Sequence, residues 1–476
     1  MIGLTISALL PLLVGGAWLK CFWKDAHWTA VVGYGYLLGI FFTTLAIRLL
    51  AWAGWDLSFP LISLVLFCIG VPVLVRGHLY HDANSIDQRV SQPVHSFSGS
   101  DGSWQRILVF LLLAFLMFRF YSLFLEVLWR PLFAWDGWMN WAPKARVWFD
   151  LGDLVPFVDP VAWRGDASLN GAYTLGNWVA WDYPITVPLI QLWTALGLGH
   201  WRDNYINIPW FFASVAMGLA FYGQSRMLGV KPYVSMLATY ILLSMPFLNV
   251  HTALAGYADL WMAAFFCLAG MALLSWVRTR SLIQFVLFVL SSIACVQMKS
   301  PGVLWVFTLA PVLVLAFIPY QLRGYSILAV LLLLGAVFLM GGISIDIPSV
   351  GALKINKDVI EIPSFMKFPL EYHAVWPYIV KNMFQYLSWN LYFYGIIFLF
   401  ILLYIGRGWS SDMLLPLSVI VSGGGFIFIV FFFTHRYIEA VDSTTINRAM
   451  FHMIPMNVFS ILYLYVLREE KLGSNY

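Results

Sequence analysis

Residues 107–125 read ILVFLLLAFLMFRFYSLFL, a run with one charged residue, and similar apolar blocks recur at 233–250 and 327–340. A helix that spans a bilayer needs about 17–25 such residues. The whole chain is 61% hydrophobic, 18% aromatic and 11% charged, whereas a soluble domain carries about 25% charged residues. These proportions exclude a water-soluble globular protein and indicate a polytopic integral membrane protein.

The apolar runs predict an all-α membrane protein with about thirteen transmembrane helices. The predicted spans are 2–19, 28–51, 60–75, 107–126, 205–223, 232–250, 255–277, 283–297, 301–319, 327–343, 383–405, 413–433 and 449–467. The predicted organisation is 1–106 for three N-terminal helices and a cytoplasmic loop, 107–467 for a transmembrane core, and 468–476 for a cytoplasmic tail. Two long segments of the core, 128–184 and 343–381, are predicted to lie outside the membrane.

Segment 185–198 decides the topology, because it is apolar but only about fourteen residues long, too short to span. If it does not span, Lys299, Arg436 and Arg448 lie outside, but ten other cations of the short loops fall on one face, the positive-inside arrangement. Those cations are Lys20, Lys24, Arg226, Lys231, Arg278, Arg280, Arg323, Arg407, Arg468 and Lys471. We therefore predict that 185–198 is a juxtamembrane helix, that the N-terminus is outside and that the C-terminus is cytoplasmic.

Asp136 follows a predicted span by about ten residues and is surrounded by aromatic side chains in FAWDGWMNW, residues 133–141. A carboxylate among aromatic rings at a membrane surface loses hydration, which raises its basicity. Such a group can accept a proton from a hydroxyl that attacks an anomeric carbon. The alternative is a loop aspartate, because Asp before Gly is common in turns.

Two further carboxylates lie near predicted helix starts on the same predicted face. Asp182 precedes the juxtamembrane segment, and Asp259 precedes an almost wholly apolar run, where an acid is costly unless it is paired or in a wet cavity. Each is either a pocket carboxylate or a helix cap. With Asp136 they could bind a divalent cation, but their spacing is not specific for a metal.

Several cations are candidates for binding a phosphate at the predicted outer face. Lys299 lies between two apolar spans, and Arg436, Arg448 and His452 flank the last outer loop. Phosphate recognition competes here with snorkelling and headgroup anchoring. Trp138 and Trp141, beside Lys144 and Arg146, have the spacing of an amphipathic surface helix. The net charge of +4 gives no sign of a nucleic-acid partner.

Five short motifs in this order resemble those of GT-C-fold glycosyltransferases of the protein O-mannosyltransferase and aminoarabinose-transferase type. They are WDGWMNWAPKA at 135–145, YPITVPLI at 183–190, YADL at 257–260, KSPG at 299–302, and Asn447, Arg448, His452 and Pro455 at the start of the last span. The first is also similar to the Asp-Pro-Trp-Phe-Asn-Tyr-Arg-Ala run of oligosaccharyltransferase catalytic subunits. The resemblance covers residues 107–467.

The resemblance implies a GT-C-like core and a catalytic Asp136, with Asp259 as a second acidic site. Aminoarabinose transferases have a lysine where Asp182 and Tyr183 stand here, so Lys144, Arg146, Lys299 and Arg448 are the candidate phosphate ligands. Metal dependence varies within the superfamily.

The sequence thus predicts a glycosyltransferase that takes a sugar from a polyprenyl-phosphate donor. Its acceptor would be a glycan, lipid or protein at the periplasmic face of a bacterial inner membrane. The alternatives are a polymerase or ligase of lipid-linked glycans, and a polytopic transporter or flippase. Transporters favour internal repeats and charges near the bilayer midplane, neither of which the sequence displays.

Overall fold

A computed structural model describes residues 2–83, 102–165, 167–169, 171–347, 351–362, 366–405 and 409–473. Residues 84–101 of the predicted cytoplasmic loop therefore lie outside the described residues. The chain is mainly helical, as expected of an α-helical membrane protein, and divides into two compact units, 1–306 and 307–476.

The first unit contains Asp136 and a series of helices. They are α1 (Ile2–Phe22), α2 (Trp28–Trp52), α3 (Phe59–Ala83), α4 (Ser103–Trp129), α5 (Ala142–Leu151), α6 (Pro160–Gly165), α7 (Thr186–Leu198), α8 (Ile208–Met227), α9 (Pro232–Leu243), α10 (Pro246–Ala253), α11 (Asp259–Thr279) and α12 (Leu282–Met298). Helix α13 (Gly302–Phe307) lies at the boundary between the two units.

Glycines allow α1, α2 and α8 to pack closely. A Cβ on Gly15 of α1 would collide with the backbone of Gly35, and a Cβ on Gly33 of α2 would collide with the backbone of Ala216 in α8. Small residues at helix interfaces are the usual means of close approach in a bilayer, where van der Waals packing replaces hydrophobic association. The three N-terminal helices thereby belong to the same unit as α4–α12.

Helix α11 is the central helix of this unit, because every residue from Asp259 to Ser275 is buried. It packs on α8, α10 and α12. Helices α9 and α10 form one bent element with an angle of 61°. Pro246 begins α10, and a proline at this position cannot donate the backbone hydrogen bond that would continue α9.

One end of the first unit, here named the Asp136 end, contains the C-terminal ends of α2, α4 and α12 and the N-terminal ends of α7, α8 and α11. Asn204, which follows α7, donates a 2.5 Å hydrogen bond to the carbonyl of Leu128, at the end of α4. Both flanks of α7 are therefore at the same end of the unit. This agrees with the prediction that segment 185–198 does not span, as does its length of 13 residues.

The second unit contains the remaining helices and one sheet. Its elements are α14 (Ala310–Phe317), α15 (Arg323–Leu339), β1 (Ile343–Ile347), β2 (Gly351–Ile355), β3 (Val359–Ile362), β4 (Met366–Pro369), α16 (Trp376–Val380), α17 (Tyr392–Ile405), α18 (Leu414–Phe433), α19 (Tyr437–Val441) and α20 (Ile446–Gly473). The strands form an antiparallel sheet in the order β1-β2-β3-β4. This sheet lies in the predicted outer segment 343–381 and is a β element that the all-α prediction missed.

The structure does not confirm the prediction of about thirteen membrane spans. Among the described residues, seven helices are long and apolar enough to cross a bilayer, or eight if α9 and α10 count as one span. Predicted spans 283–297 and 327–343 correspond to helices of 17 residues, and 301–319 is broken into α13 and α14. The length of an apolar run does not show whether the helix within it is continuous. In this run Pro311 stands in the first turn of α14, where a proline cannot continue the hydrogen bonding of a preceding helix.

Candidate functional site

Asp136 lies where the chain turns from the α4 loop into a π-helix, Gly137–Trp141, which leads directly into α5. Asp136 is 8% exposed. π-helical turns are rare and occur frequently at functional sites. Asp136 is thus a largely buried acid at a local irregularity of the backbone.

An open cavity of ≈ 500 Å³ lies beside the loop that carries Asp136, although Asp136 itself is not among the residues that line it. It is lined by Leu132, Phe133, Ala134, Trp135, Trp138, Leu254 and Tyr257. Trp135 and Trp138 flank Asp136 in the sequence, and their rings meet edge to face at 6.5 Å. They are 51% and 48% exposed. The volume is within the range of small-molecule sites, about 300–1,000 Å³.

The loop that carries Asp136 packs directly on the loop that leads to Asp259. A Cβ on Gly256 would lie 3.3 Å from the Cα of Gly137. Tyr257 lines the cavity, and its carbonyl accepts a 2.7 Å hydrogen bond from Trp210 of α8. The two acidic segments that the sequence singled out separately are therefore neighbours at the Asp136 end.

Asp259 and Lys299 form an ion pair, with 2.9 Å between Oδ1 and Nζ. The side chain of Asp259 is fully buried, and that of Lys299 is 17% exposed. Asp259 occupies the first turn of α11, where a carboxylate also interacts favourably with the helix dipole. Lys299 follows the end of α12, so the α11–α12 hairpin brings the two side chains together.

Lys144 is fully buried in α5 and directs its ammonium group at the chain itself. It donates hydrogen bonds to the carbonyls of Trp181, at 2.8 Å, and Tyr183, at 3.3 Å. Burial lowers the pKa of Lys144 to about 8, and the nearby Asp182 opposes this shift. In this arrangement Lys144 holds the segment that contains Asp182 and Tyr183.

The other predicted residues of segment 128–184 face in different directions. Trp141 is fully buried, and its ring lies 5.4 Å from that of Tyr183. Arg146 is half exposed and pairs with Asp150 at 2.7 Å. The predicted amphipathic helix thus exposes Arg146 but buries Trp141, because α5 packs against α7.

Arg436, Arg448 and His452 lie in the second unit. Arg436 pairs with Glu439, three residues later. His452 is buried in α20, and Arg448 is partly buried one turn before it. Asn447, beside Arg448, donates a hydrogen bond to Asn382.

Arg48 is a residue of the Asp136 end that the sequence analysis did not single out. Its Nη1 donates a 2.9 Å hydrogen bond to Gln297, two residues before Lys299, and its Nη2 donates to Thr186, the first residue of α7. The signal that could have found it is an arginine within a predicted span, since charges there are rare and commonly functional.

No group of three or more His, Cys, Asp or Glu side chains suited to a metal ion occurs in the part of the chain that the structure describes. Comparison of the chain with protein-family models, with curated proteins and with solved structures gives no significant match.

Proposed function

We propose that this chain is a membrane glycosyltransferase that transfers a sugar from a polyprenyl-phosphate donor to a glycan, lipid or protein acceptor. The observation that carries the proposal is the position of Asp136, a largely buried acid in the loop that forms one wall of the aromatic cavity. The motif resemblance supports the same role for this residue.

The proposed reaction is a direct displacement at the anomeric carbon. An acceptor hydroxyl attacks that carbon, its proton passes to the Asp136 carboxylate, and the bond from the carbon to the phosphate oxygen breaks. The products are the glycosylated acceptor and the free polyprenyl phosphate. The donor is a phosphodiester, and the group that leaves is polyprenyl phosphate, a phosphate monoester. Stabilisation of its negative charge therefore matters more for its departure than protonation does.

The cavity wall suits a sugar. The rings of Trp135, Trp138 and Tyr257 offer flat apolar faces with polar edges, which match the C–H face and hydroxyl rim of a pyranose. Lys299 would supply positive charge toward the phosphate, and its pairing with Asp259 fixes its position. We place the site at the periplasmic face of a bacterial inner membrane, as in the predicted topology.

The test is donor turnover by the purified chain in lipid nanodiscs, with a panel of undecaprenyl-phosphate sugars and release of undecaprenyl phosphate as the readout. We expect Asp136→Asn to lower turnover at least 100-fold, because general-base catalysis contributes about 10²–10⁴-fold. Asp153→Asn is the matched control, since Asp153 is an exposed acid of the same segment.

Turnover that survives in Asp136→Asn would contradict the assigned base. Movement of lipid or solute without release of undecaprenyl phosphate from any donor would contradict the enzyme and favour a transporter.

A further inference from the structure

Arg48 is a half-buried cation near the C-terminal end of α2, a helix whose apolar window is largely buried. Its two hydrogen-bond acceptors, Gln297 and Thr186, are both neutral. Within the described residues no carboxylate pairs with Arg48. Two other cations at the ends of apolar helices, Lys299 and Arg323, each have an acidic partner.

A guanidinium among apolar helices is costly when its charge is not compensated. The two neutral acceptors hold Arg48 in place but do not compensate its charge, and they leave two of its four Nη N–H donors without an acceptor among the hydrogen bonds of Arg48. Its Nε is buried without an acceptor in the described part of the chain. Such a group matches a phosphate, which accepts parallel hydrogen bonds from a guanidinium and supplies the missing negative charge.

Arg48 is also held next to the candidate site. Gln297 is two residues from Lys299, and Thr186 follows the segment that Lys144 holds through Trp181 and Tyr183. Three separate elements, α2, α7 and the end of α12, thus meet at this guanidinium.

We propose that Arg48 binds the phosphate of the lipid-linked donor, so that the N-terminal helices contribute directly to the site. The inference rests on the proposed function for the identity of the ligand. It assigns a binding role to a residue outside 107–467, the region to which the family resemblance is confined. The ligand is a phosphate ester on a polyprenyl chain.

The test compares two lipids that differ only in the phosphate, undecaprenyl phosphate and the uncharged alcohol undecaprenol. Each is added to the full-length chain in phosphatidylcholine nanodiscs, and binding is measured by native mass spectrometry. We expect wild type to prefer the phosphate at least 10-fold, Arg48→Gln to lose that preference, and Arg48→Lys to retain part of it. Arg130→Gln is the control, because Arg130 is an exposed arginine of the same unit that pairs with Glu126.

If Arg48→Gln weakened the binding of both lipids equally, Arg48 would have only a structural role and the proposal would be overturned. An unchanged preference of Arg48→Gln for the phosphate would overturn it too. If Arg48→Gln does not fold, Arg48→Lys decides, since it keeps the charge but not the planar fork. Turnover tests the enzyme separately. A chain that binds undecaprenyl phosphate through Arg48 yet turns over no donor would keep this site and contradict the glycosyltransferase.

Discussion

Gly137 and Gly256 pack backbone against backbone, and this contact joins the loop of Asp136 to the loop that leads to Asp259. A Cβ on Gly137 would lie 3.4 Å from the Cα of Gly256. Gly256 also has a φ of +120°, a backbone conformation that residues with a side chain rarely adopt. Glycine is therefore required at position 256 by the backbone conformation, whereas at position 137 a methyl group would fit once the side chain of Leu132 moves.

Replacement of the two glycines should therefore have unequal effects. In Gly137→Ala the closest atom to the new methyl group is Cδ1 of Leu132, at 2.8 Å, the end of a side chain that can move. In Gly256→Ala the backbone itself is strained, which costs about 1–3 kcal/mol. We expect Gly256→Ala to lower both thermal stability and donor turnover, and Gly137→Ala to do so less.

The measurement is the melting temperature in detergent together with turnover. Gly165→Ala is the control, because a Cβ there meets nothing within 4 Å. Equal melting temperatures for Gly256→Ala and Gly165→Ala would show that the loop conformation at Gly256 is not required.

The Asp259–Lys299 pair predicts strong coupling between two residues 40 positions apart. Lys299→Met removes the cation beside a fully buried carboxylate, which typically costs about 3–5 kcal/mol. Adding Asp259→Asn removes the buried negative charge that lost its cation, so the double variant should be more stable than Lys299→Met alone. Melting temperatures of the four proteins form the cycle.

The loss of stability in Lys299→Met is compared with the loss caused by breaking an exposed ion pair. Arg146→Met breaks the half-exposed pair with Asp150, and exposed pairs contribute roughly 0–1 kcal/mol. If Lys299→Met destabilises the protein no more than Arg146→Met does, the pair does not stabilise the Asp136 end.

The sequence predicted the helical membrane class well because long apolar runs seldom occur outside membrane-spanning helices. It also predicted that Asp259 and Lys299 lie on the same face, since they sit at the two ends of consecutive spans. It did not predict their direct contact, because hydropathy fixes the depth of a residue but not its rotation about the helix axis. The burial of Lys144 was not predicted for a related reason. A lysine at helical spacing gives no sign that its ammonium group will donate to backbone carbonyls. The sheet of the second unit was not predicted, because its strands have only four or five residues each.

The lowered pKa of Lys144 predicts how the stability of the protein depends on pH. In the folded chain its pKa is about 8, and in the unfolded chain it returns to the ordinary 10.5. Between these values the unfolded state binds more protons, so the free energy of unfolding rises with pH. The gain is up to about 3 kcal/mol, and it is absent below pH 8, where both states are protonated.

The check is the difference in stability between wild type and Lys144→Met from pH 7 to 10.5. We expect this difference to change in favour of wild type as the pH rises above 8, because the variant has no titrating amine at this position. A difference that is constant across the range would mean that Lys144 keeps an ordinary pKa in the folded protein.

Helix α7 predicts the sidedness of the loops around it. Its 13 residues extend about 20 Å at 1.5 Å per residue, less than the roughly 30 Å of a hydrocarbon core. Asp153→Cys, before α7, and His200→Cys, after it, both place a thiol at an exposed position. In a background without native cysteines, we expect a membrane-impermeant maleimide added to whole cells to label both.

The contact between Asn204 and Leu128 requires this result, because it holds the chain after α7 against the end of α4. Lys24→Cys, at an exposed position of a predicted cytoplasmic loop, is the control that should react only after permeabilisation. Labelling of only one of the two loop cysteines would mean that α7 crosses the bilayer. The cations of the short loops that follow it would then face the opposite side, and Asp136 and Asp259 could not share a membrane face.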